Sequence, residues 1–276
     1  MNYRHAYHAG NFADCMKHVL LVLLVQALRR KPAPFSVLDT HAGIGRYDLT
    51  GDPAGRTGEW RAGIGRLLES TSTDGPLAAY LDLVRQAGAP ASYPGSPQIA
   101  AMMLRPQDRL VCCELHPEDS RTLRALFADN RQVSVHARDG YAALGALLPP
   151  RDARRGLVLI DPPFEQPDEF QRLAAGIVTA RRRFASGIVA AWYPIKHRAP
   201  VRAFHDSLRD SGLRDLIAVE LTLRPPLDPS RLNGCGVLVA GPPFGFAEQA
   251  LPAMRALTHL SPDGTGEATL TRIAEE

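Results

Sequence analysis

Short apolar runs alternate with amphipathic segments along the 276-residue chain, a pattern that predicts a sheet whose strands alternate with helices. Apolar runs rich in β-branched residues predict seven strands, at residues 35–39, 109–114, 133–136, 156–160, 187–194, 216–223 and 236–240. Segments with helical periodicity, the first at residues 14–30, separate most of these strands. A proline-rich loop joins the last two strands, so we expect them to pair as a β-hairpin.

The first two predicted strands are too far apart in the chain for a single crossover helix. About seventy residues separate them, and this interval holds two helical patterns followed by a turn at residues 93–97. We therefore predict three segments. Residues 1–49 hold an N-terminal motif with the first helix and strand, residues 50–95 form a helical insertion, and residues 96–276 form the remainder of the main domain.

Acidic residues stand at the ends of four predicted strands, namely Asp39, Glu114, Asp139 and Asp161. Because ligands of open α/β sheets bind at the carboxyl ends of the strands, we expect these side chains to line one site. Gly43 and Gly45 follow the first strand and would let a ligand approach the backbone closely. The third glycine of the dinucleotide fingerprint is missing, since Asp48 stands in its place.

The sequence Asp161-Pro162-Pro163-Phe164 ends a buried strand, because proline cannot donate to a sheet ladder. The Asp161 carboxylate and the Pro162 carbonyl can accept the two protons of an NH2 group on a planar ring, while Phe164 stacks on the ring. A simple turn with Phe164 in the core is the alternative. The second copy, residues 241–244, has the prolines and the phenylalanine but no acid, so the predicted chemistry depends on Asp161.

The start of the chain is rich in histidine and tyrosine, and the first predicted helix follows it. Asp14 precedes that helical pattern and Ser96 precedes a later one, which predicts that each residue caps a helix. Lys17 and His18 would then lie in the first turn, where the helix dipole disfavours cations. Both a functional use of these cations and a solvated helix start fit this pattern.

Composition places few limits on the function. The net charge of +3 and the pI near 8.8 are compatible with an anionic partner but do not require one. The four cysteines show no CxxC spacing, and we expect free buried thiols in a reducing compartment. No metal-ligand spacing appears, and the longest apolar run, residues 19–25, is too short to span a membrane. We therefore expect a cytoplasmic protein without a metal or a membrane partner.

The predicted order of strand–helix units followed by a β-hairpin resembles the class I methyltransferase fold, a Rossmann-like α/β domain with a seven-stranded, mostly parallel sheet. This resemblance implies S-adenosyl-L-methionine as the cofactor and S-adenosyl-L-homocysteine as its product. The motif at residues 161–164 is similar to the [N/D/S]-P-P-[Y/F/W] motif of amino methyltransferases. Such enzymes act on an exocyclic amine, with Asp161, Pro162 and Phe164 as the expected catalytic residues here.

Several motifs closely resemble the RlmJ family of 23S rRNA adenine-N6 methyltransferases, which act on one adenine of domain V. They are Tyr3-Arg4-His5-x-x-His8-Ala9-Gly10-Asn11-x-x-Asp14-x-x-Lys17-His18, Leu38-Asp39-Thr40-His41-Ala42-Gly43-x-Gly45-Arg46-Tyr47, Tyr93-Pro94-Gly95-Ser96-Pro97, Glu114-Leu115-His116-Pro117, Asp139-Gly140 and Trp192-Tyr193-Pro194. The similarity runs nearly end to end and includes the helical insertion. Phe164 stands where the family pattern has tyrosine, which removes a hydroxyl but keeps a stacking ring.

The resemblance assigns roles to individual residues. It implies cofactor contacts by His18, His41, Gly43, Ser96, Glu114, Asp139, Gly140 and Asp161. It places Tyr3, His5 and Lys17 near the target base, and it makes the N-terminal segment a lid over cofactor and RNA. Basic residues expected to contact RNA phosphates are Arg4, Arg46, Lys196, His197 and Arg181–Arg183, although a solvated helix face explains the last three equally well.

We expect the substrate to be 23S rRNA, either protein-free or in an early assembly intermediate, and the enzyme to be a monomer. Three alternatives compete with this interpretation. A guanine-N2 rRNA methyltransferase, or another amino methyltransferase of the same fold, is the nearest. A nicotinamide-dependent oxidoreductase and a catalytically inactive RNA-binding protein are more distant, because the fingerprint at Gly43 is incomplete and Asp161 is intact.

Overall fold

The structure of the protein is a computed structural model that describes residues 4–70 and 75–275. The strands are β1 (Ser36–Asp39), β2 (Arg46–Asp48), β3 (Ser92–Pro94), β4 (Arg109–Cys113), β5 (Val133–His136), β6 (Gly156–Ile160), β7 (Ile188–Ile195), β8 (Leu216–Thr222), β9 (Gly234–Ala240) and β10 (Glu267–Ala274). The α-helices are α1 (Phe12–Arg29), α2 (Asp52–Thr57), α3 (Arg66–Glu69), α4 (Gly75–Gln86), α5 (Ser96–Met102), α6 (Pro117–Leu126), α7 (Gly140–Leu147), α8 (Glu169–Arg183), α9 (Arg198–Asp210) and α10 (Phe246–Arg255).

The main sheet has eight strands in the order β10-β8-β9-β7-β6-β1-β4-β5. Strands β5, β4, β1, β6 and β7 are parallel, whereas β9, β8 and β10 pair antiparallel. The predicted hairpin is confirmed, since β8 pairs with β9 from Leu216–Ala240 to Thr222–Gly234. The predicted count of seven strands is wrong by one, because β10 covers the edge of β8. This edge strand is only partly buried, so its apolar pattern is weak.

Helices cover both faces of the sheet and bury two hydrophobic cores. The residues of one core come from α1, α4, α5, α6 and α10, and those of the other come mainly from α7, α8 and α9. Strands β1 and β6 are buried along their whole length, which explains why β6 is continuously apolar rather than alternating. The central strands therefore form a rigid base for the residues at their carboxyl ends.

The two predicted helix caps are wrong, and both residues have other contacts. Helix α1 begins at Phe12, where the Asn11 side chain accepts hydrogen bonds from the amides of Ala13 (3.0 Å) and Asp14 (3.1 Å). Gly95 precedes α5, and the Ser96 hydroxyl instead donates to Asp39 Oδ2 at 2.7 Å. Asn11 is a good cap because its short side chain reaches the first free amides, so Asp14 is available for the site.

The segment between β2 and β3 is helical and packs against α1. It contains α2, a π-helical turn at Arg61–Gly65, α3 and α4, and the buried side chains of Tyr80 and Leu81 belong to the same core as α1. Strands β2 and β3 pair antiparallel, and the Gly95 amide donates to the Gly45 carbonyl at 2.9 Å. This pairing returns the chain to the carboxyl edge of the sheet beside the glycine turn.

The four cysteines are free and buried, as the sequence predicted. Across residues 4–70 and 75–275, no helix is long and apolar enough to cross a membrane.

We expect Gly236→Ala to lower the free energy of unfolding by about 1–3 kcal/mol, because the added methyl overpacks a buried strand. An ideal Cβ at this position would lie 2.3 Å from Cζ of Tyr193. Urea denaturation measures the effect. The matched control is Gly145→Ala in α7, where an added Cβ meets nothing within 4 Å and helix propensity favours alanine. Equal stability of the two variants would contradict the predicted overpacking.

Candidate functional site

The strand order places four acidic residues in a row at one edge of the sheet. Strands β6, β1, β4 and β5 are neighbours, and they end at or just before Asp161, Asp39, Glu114 and Asp139. A cleft of about 1000 Å³ opens at this edge, and Asp161, Glu114 and Asp139 line it. Asp39 is buried behind the cleft wall. Three of the four acids that were expected to line one site therefore line this cleft, whereas Asp39 does not.

Two backbone amides fix the Glu114 carboxylate at the cleft wall. The amide of Gly43 donates to Glu114 Oε2 at 2.9 Å, and the amide of His116 donates to Oε1 at 2.7 Å. Burial raises the pKa of Glu114, and these two hydrogen bonds oppose the rise. Gly43 has a φ of 60°, a conformation that favours glycine. The turn thus presents an oriented carboxylate with lone pairs left for a ligand.

The tautomer of His41 follows from its hydrogen bonds. The Thr40 hydroxyl donates its single proton to the Leu159 carbonyl at 2.9 Å, so it accepts from His41 Nδ1 at 2.8 Å. Burial lowers the pKa of His41 to about 4, which leaves the ring neutral at physiological pH. His41 Nε2 is therefore an acceptor on a residue that lines the cleft.

His18 also lines the cleft as a neutral side chain. Burial lowers its pKa to about 3, and its Nδ1 lies 2.7 Å from the Tyr93 hydroxyl. Tyr93 in turn lies 2.9 Å from the Tyr80 hydroxyl, so the strand β3 and the helix α4 both hold this ring in place. The sequence expectation of a cationic His18 in the first helical turn is wrong, because α1 begins earlier and the ring is buried.

A buried ion network joins the N-terminal segment to the motif at residues 161–164. Lys17 Nζ donates to Asp161 Oδ2 and lies 3.0 Å from Asp14 Oδ1. Asp14 Oδ2 also accepts from the Gly10 amide (2.9 Å) and lies 2.9 Å from His5 Nε2. Only 7% of the Lys17 side chain and 15% of the Asp161 side chain are exposed.

The charges in this network stabilise one another despite their burial. Burial alone would lower the pKa of Lys17, but Asp14 and Asp161 outweigh it and raise that pKa well above its usual value. Burial would likewise raise the pKa of Asp14, but His5 and Lys17 hold it well below its usual value. Lys17 is therefore a permanent cation that fixes one oxygen of Asp161. Within the described chain, no hydrogen bond reaches Asp161 Oδ1.

The ring of Phe164 is held at the cleft by a strained backbone and by aromatic contacts. Phe164 has a φ of 50°, which is rare for a bulky residue and typical of functional sites when it occurs. Its ring packs edge-to-face on Phe170 (centroid distance 4.9 Å) and on Trp192 (5.7 Å). Pro162 and Pro163 precede it and also line the cleft. One ring face can thus remain available for a planar ligand.

The N-terminal segment lies over one side of the cleft and is tied to two other parts of the chain. His8 Nδ1 and Asn11 Nδ2 each lie 3.0 Å from a carboxylate oxygen of Glu59, and the Ile64 amide donates to the Gly10 carbonyl at 2.9 Å. Arg4 pairs with Glu118 (2.8 Å) and with Asp119 (3.0 Å) at the start of α6. The role of Arg4 in RNA binding stays a prediction. Tyr3, which was expected near the target base, lies outside the described residues.

Other predicted site residues have distinct locations. Ser96, Gly140, Lys17 and His5 line the cleft, whereas Arg46 lies exposed on β2 and His197 lies exposed at the start of α9. Arg181 donates to the carbonyls of Ala185 (2.9 Å) and Gly187 (2.6 Å), just before β7 begins. The arginines at 181–183 therefore lie toward the opposite edge of the sheet from the cleft.

Sequence reasoning missed part of the cleft. Lys196 was expected to contact RNA, and it lines the cleft together with Arg66, Arg224 and Arg231. These residues are far apart in sequence: Lys196 follows β7, Arg66 begins α3, and the two other arginines lie on the loop between β8 and β9. Arg224 and Arg231 flank the proline-rich part of this loop, and this spacing is the one sequence signal that could have indicated these two arginines. No cluster of three or more potential metal ligands occurs in residues 4–70 and 75–275.

Comparisons with known proteins agree over almost the whole chain. The chain is 40% identical to the ribosomal RNA large subunit methyltransferase J of Escherichia coli K12 and 38% identical to that of Haemophilus influenzae, with all of each chain covered. A crystal structure of a protein from Legionella pneumophila superposes with a TM-score of 0.88 at 34% identity, covering 96% of this chain and 98% of that one.

A Corynebacterium glutamicum protein described as a probable spermidine synthase, at 11% identity and a TM-score of 0.52, shares the fold alone, with 96% of this chain and 77% of that one covered. The Rossmann-like class I methyltransferase fold expected from the sequence is thus confirmed, with eight strands instead of seven.

A family model described as ribosomal RNA large subunit methyltransferase D, RlmJ, matches residues 32–273. Together with the two full-length relatives, this match shows that the chain belongs to the RlmJ family.

Proposed function

We propose that the protein transfers a methyl group from S-adenosylmethionine to N6 of a single adenine in domain V of 23S rRNA. The observation that carries the proposal is the state of Asp161, which lines the cleft together with Phe164. Lys17 fixes one of its oxygens, and no donor from residues 4–70 or 75–275 reaches the other. The relatives from E. coli and H. influenzae are both named large-subunit rRNA methyltransferases, which supports ribosomal RNA as the substrate class.

The residues along the cleft fit S-adenosylmethionine. Glu114 suits the two ribose hydroxyls, because both of its oxygens are oriented and keep lone pairs for further donors. Asp139 and Gly140 would lie beside the adenine of the cofactor, and His18, His41 and Ser96 would contact its amino acid part. When bound, the cofactor supplies an electrophilic methyl group on a sulfonium, and the carboxylates of the cleft suit that positive charge.

The chain itself positions the amine of the target base. The lone pair of an exocyclic amine is delocalised into the ring, which makes it a poor nucleophile. Hydrogen bonds from its two N–H groups to Asp161 Oδ1 and to the Pro162 carbonyl would favour a tetrahedral nitrogen with a localised lone pair. Most of the rate gain would come from positioning and electrostatics. Asp161 can accept the released proton.

Lys17 serves as a positioning residue. Since Asp14 and Asp161 raise its pKa well above the usual value, it stays protonated and does not act as a base. Its ammonium group holds Asp161 Oδ2 and so aims Oδ1 into the cleft. Asp14 and His5 hold the ammonium from the other side, which makes the N-terminal segment part of the same unit.

The target base has to leave its stack to reach Asp161. Phe164, held edge-to-face by Phe170 and Trp192, offers a stacking face for an unpaired or flipped base. The substrate would be protein-free 23S rRNA or an early assembly intermediate, and the enzyme would be a monomer. The N-terminal segment would act as a lid over both ligands. Because Asn11 caps α1, a deletion that tests the lid should end before it.

A nicotinamide-dependent oxidoreductase is the more distant alternative. Dinucleotide sites place the pyrophosphate at the N-terminus of a helix that begins at the glycine turn. Here the chain leaves Gly45 and enters β2, and the next helix begins at Asp52. Glu114 would suit the ribose of either cofactor, but Asp161 lines the same cleft and would repel a pyrophosphate. These observations favour a cationic cofactor over a dinucleotide.

Asp161→Asn should lower methyl transfer to unmodified 23S rRNA by about 10²–10⁴-fold, because the variant loses the charged acceptor of the amine protons and of the released proton. Labelled S-adenosylmethionine and nucleoside analysis of the digested RNA measure both rate and product. Asp210→Asn, exposed on α9, is the matched control. Label in N2-methylguanosine would replace adenine with guanine as the target. An unimpaired Asp161→Asn variant would remove the motif from the mechanism.

Glu114→Gln should weaken S-adenosylmethionine binding about tenfold or more, because hydrogen bonds to a charged acceptor are stronger than those to an amide. Isothermal titration calorimetry with the cofactor alone gives the dissociation constant. Glu248→Gln on the exposed face of α10 is the control. A dissociation constant equal to that of the control would show that Glu114 is not a cofactor contact.

Asp39 is the buried acid behind the cofactor end of the cleft. Burial raises its pKa to about 7, and the hydrogen bond from Ser96 opposes the rise. The folded state therefore keeps a proton between about pH 4 and pH 7 that the unfolded state has released. Over this window Asp39 makes the folded state less stable as the pH rises, with a slope of up to about 1.4 kcal/mol per pH unit.

Accordingly, the free energy of unfolding of Asp39→Asn should increase relative to that of the wild type as the pH rises from 5 to 7. Urea denaturation at a series of pH values measures this difference, which cancels the contributions of other groups. The same difference for Asp210→Asn should change much less. A pH-independent difference for Asp39→Asn would mean that Asp39 is already charged at pH 5.

A further inference from the structure

The β8–β9 loop, residues 224–233, lies at the same edge of the sheet as Asp161. Strand β9 starts at Gly234, which pairs with Ile195 at the end of β7, and β7 runs parallel to β6. Within the loop, Arg224, Arg231 and Leu232 line the cleft. Leu227 stands between the two arginines in sequence, and 82% of its surface is exposed. Leu227 is thus a large exposed apolar side chain on a loop whose two arginines line the cleft.

Hydrogen bonds hold the loop in one conformation. Asn233 is fully buried, and its Nδ2 donates to the carbonyls of Lys196 (2.8 Å) and Asp228 (2.7 Å). Asp228 Oδ1 accepts from the amide and the hydroxyl of Ser230 at 2.9 and 2.6 Å. Three prolines, at 225, 226 and 229, restrict the backbone further. The exposure of Leu227 is therefore a property of a fixed loop, and little ordering cost opposes its use in binding.

Positive charge surrounds this apolar tip. Arg224 and Arg231 of the loop line the cleft, as does Lys196, which follows β7 beside the start of β9. Glu114, Asp139 and Asp161 follow the ends of the parallel strands. Within the described residues, no carboxylate lies within ion-pair distance of Lys196 or Arg224, and Arg231 Nε lies 3.4 Å from Asp228 Oδ2. Lys196 and Arg224 thus offer positive charge that no carboxylate of the described residues neutralises by an ion pair, which suits an anionic polymer.

We propose that the β8–β9 loop is an RNA-docking element at the mouth of the cleft. Arg224, Arg231 and Lys196 contact backbone phosphates on either side of the target nucleotide, and Leu227 packs against the faces of the unstacked bases next to it. This inference rests on the proposed function for the identity of the polymer. Apolar side chains between basic residues fit unpaired nucleic acid, which offers both base faces and phosphates.

Salt dependence separates the two kinds of contact. Loss of a phosphate contact reduces the slope of log K against log salt by about 0.7–0.9, whereas loss of an apolar contact leaves the slope unchanged. Arg224→Gln should therefore weaken binding and flatten the slope. Leu227→Ala should weaken binding about tenfold at every salt concentration. Filter binding to unmodified, protein-free 23S rRNA transcript between 50 and 200 mM salt measures both values.

The chain offers a matched control for each variant. Phe244 is 97% exposed and also follows a double proline, but β9 ends beside Val189 at the opposite edge of the sheet. Phe244→Ala should therefore bind RNA like the wild type. Arg151→Gln, exposed in the loop that precedes β6 at the same opposite edge, is the control for Arg224→Gln. All four variants should keep the wild-type unfolding temperature and affinity for S-adenosylmethionine, because each changed side chain is peripheral to the core and to the cofactor residues.

Each outcome either supports or overturns the inference. Loop variants with a raised KM for RNA, weaker RNA binding and unchanged cofactor binding would support it. Loop variants that bind RNA like their controls would overturn it, while methylation by the wild type would leave the proposed function intact. RNA binding that depends on the loop, without methylation of any RNA, would overturn the proposed function and keep the docking element. A wild type that binds no RNA would overturn both.

Discussion

The buried ammonium of Lys17 lies between two carboxylates, and the geometry of the site depends on it. Asp14 on one side belongs to the same helix, and Asp161 on the other ends a central strand. Loss of one partner from such a buried ion network typically costs about 3–5 kcal/mol, because an unpaired charge is left behind. The contact therefore fixes the first helix and the N-terminal segment to the motif, and it orients one carboxylate oxygen for a ligand.

The lining of the cleft carries both acidic and basic side chains. Glu114 and Asp139 follow the ends of adjacent parallel strands, so they share one region by topology alone. Lys196, Arg224 and Arg231 come from the end of β7 and the β8–β9 loop, where the sheet becomes antiparallel. The motif at residues 161–164 stands between the two regions. A cationic cofactor and an anionic RNA would then each meet complementary charge, with the reacting amine placed where they meet.

Neutral and strained groups complete this arrangement. His18 and His41 are kept uncharged by burial, so they can act as hydrogen-bond partners without adding to the positive charge of Lys17. Phe164 accepts an unfavourable backbone conformation, which is tolerated because Phe170 and Trp192 hold its ring and two prolines precede it. Both features are preorganised, so the site needs little rearrangement when its ligands bind.

The sequence by itself determined the parallel strands, the acids at the ends of four of them, the β-hairpin and the motif at residues 161–164, because apolar runs and prolines report local structure directly. Only the tertiary structure decided that Asp14 pairs with Lys17 instead of capping a helix, that Ser96 bonds Asp39, and that β10 is an eighth strand. It also brought Arg66, Arg224 and Arg231 to one cleft. Such contacts join residues far apart in the chain or depend on how deeply a polar group is buried. A local sequence pattern specifies neither the long-range partner nor the burial of a polar side chain.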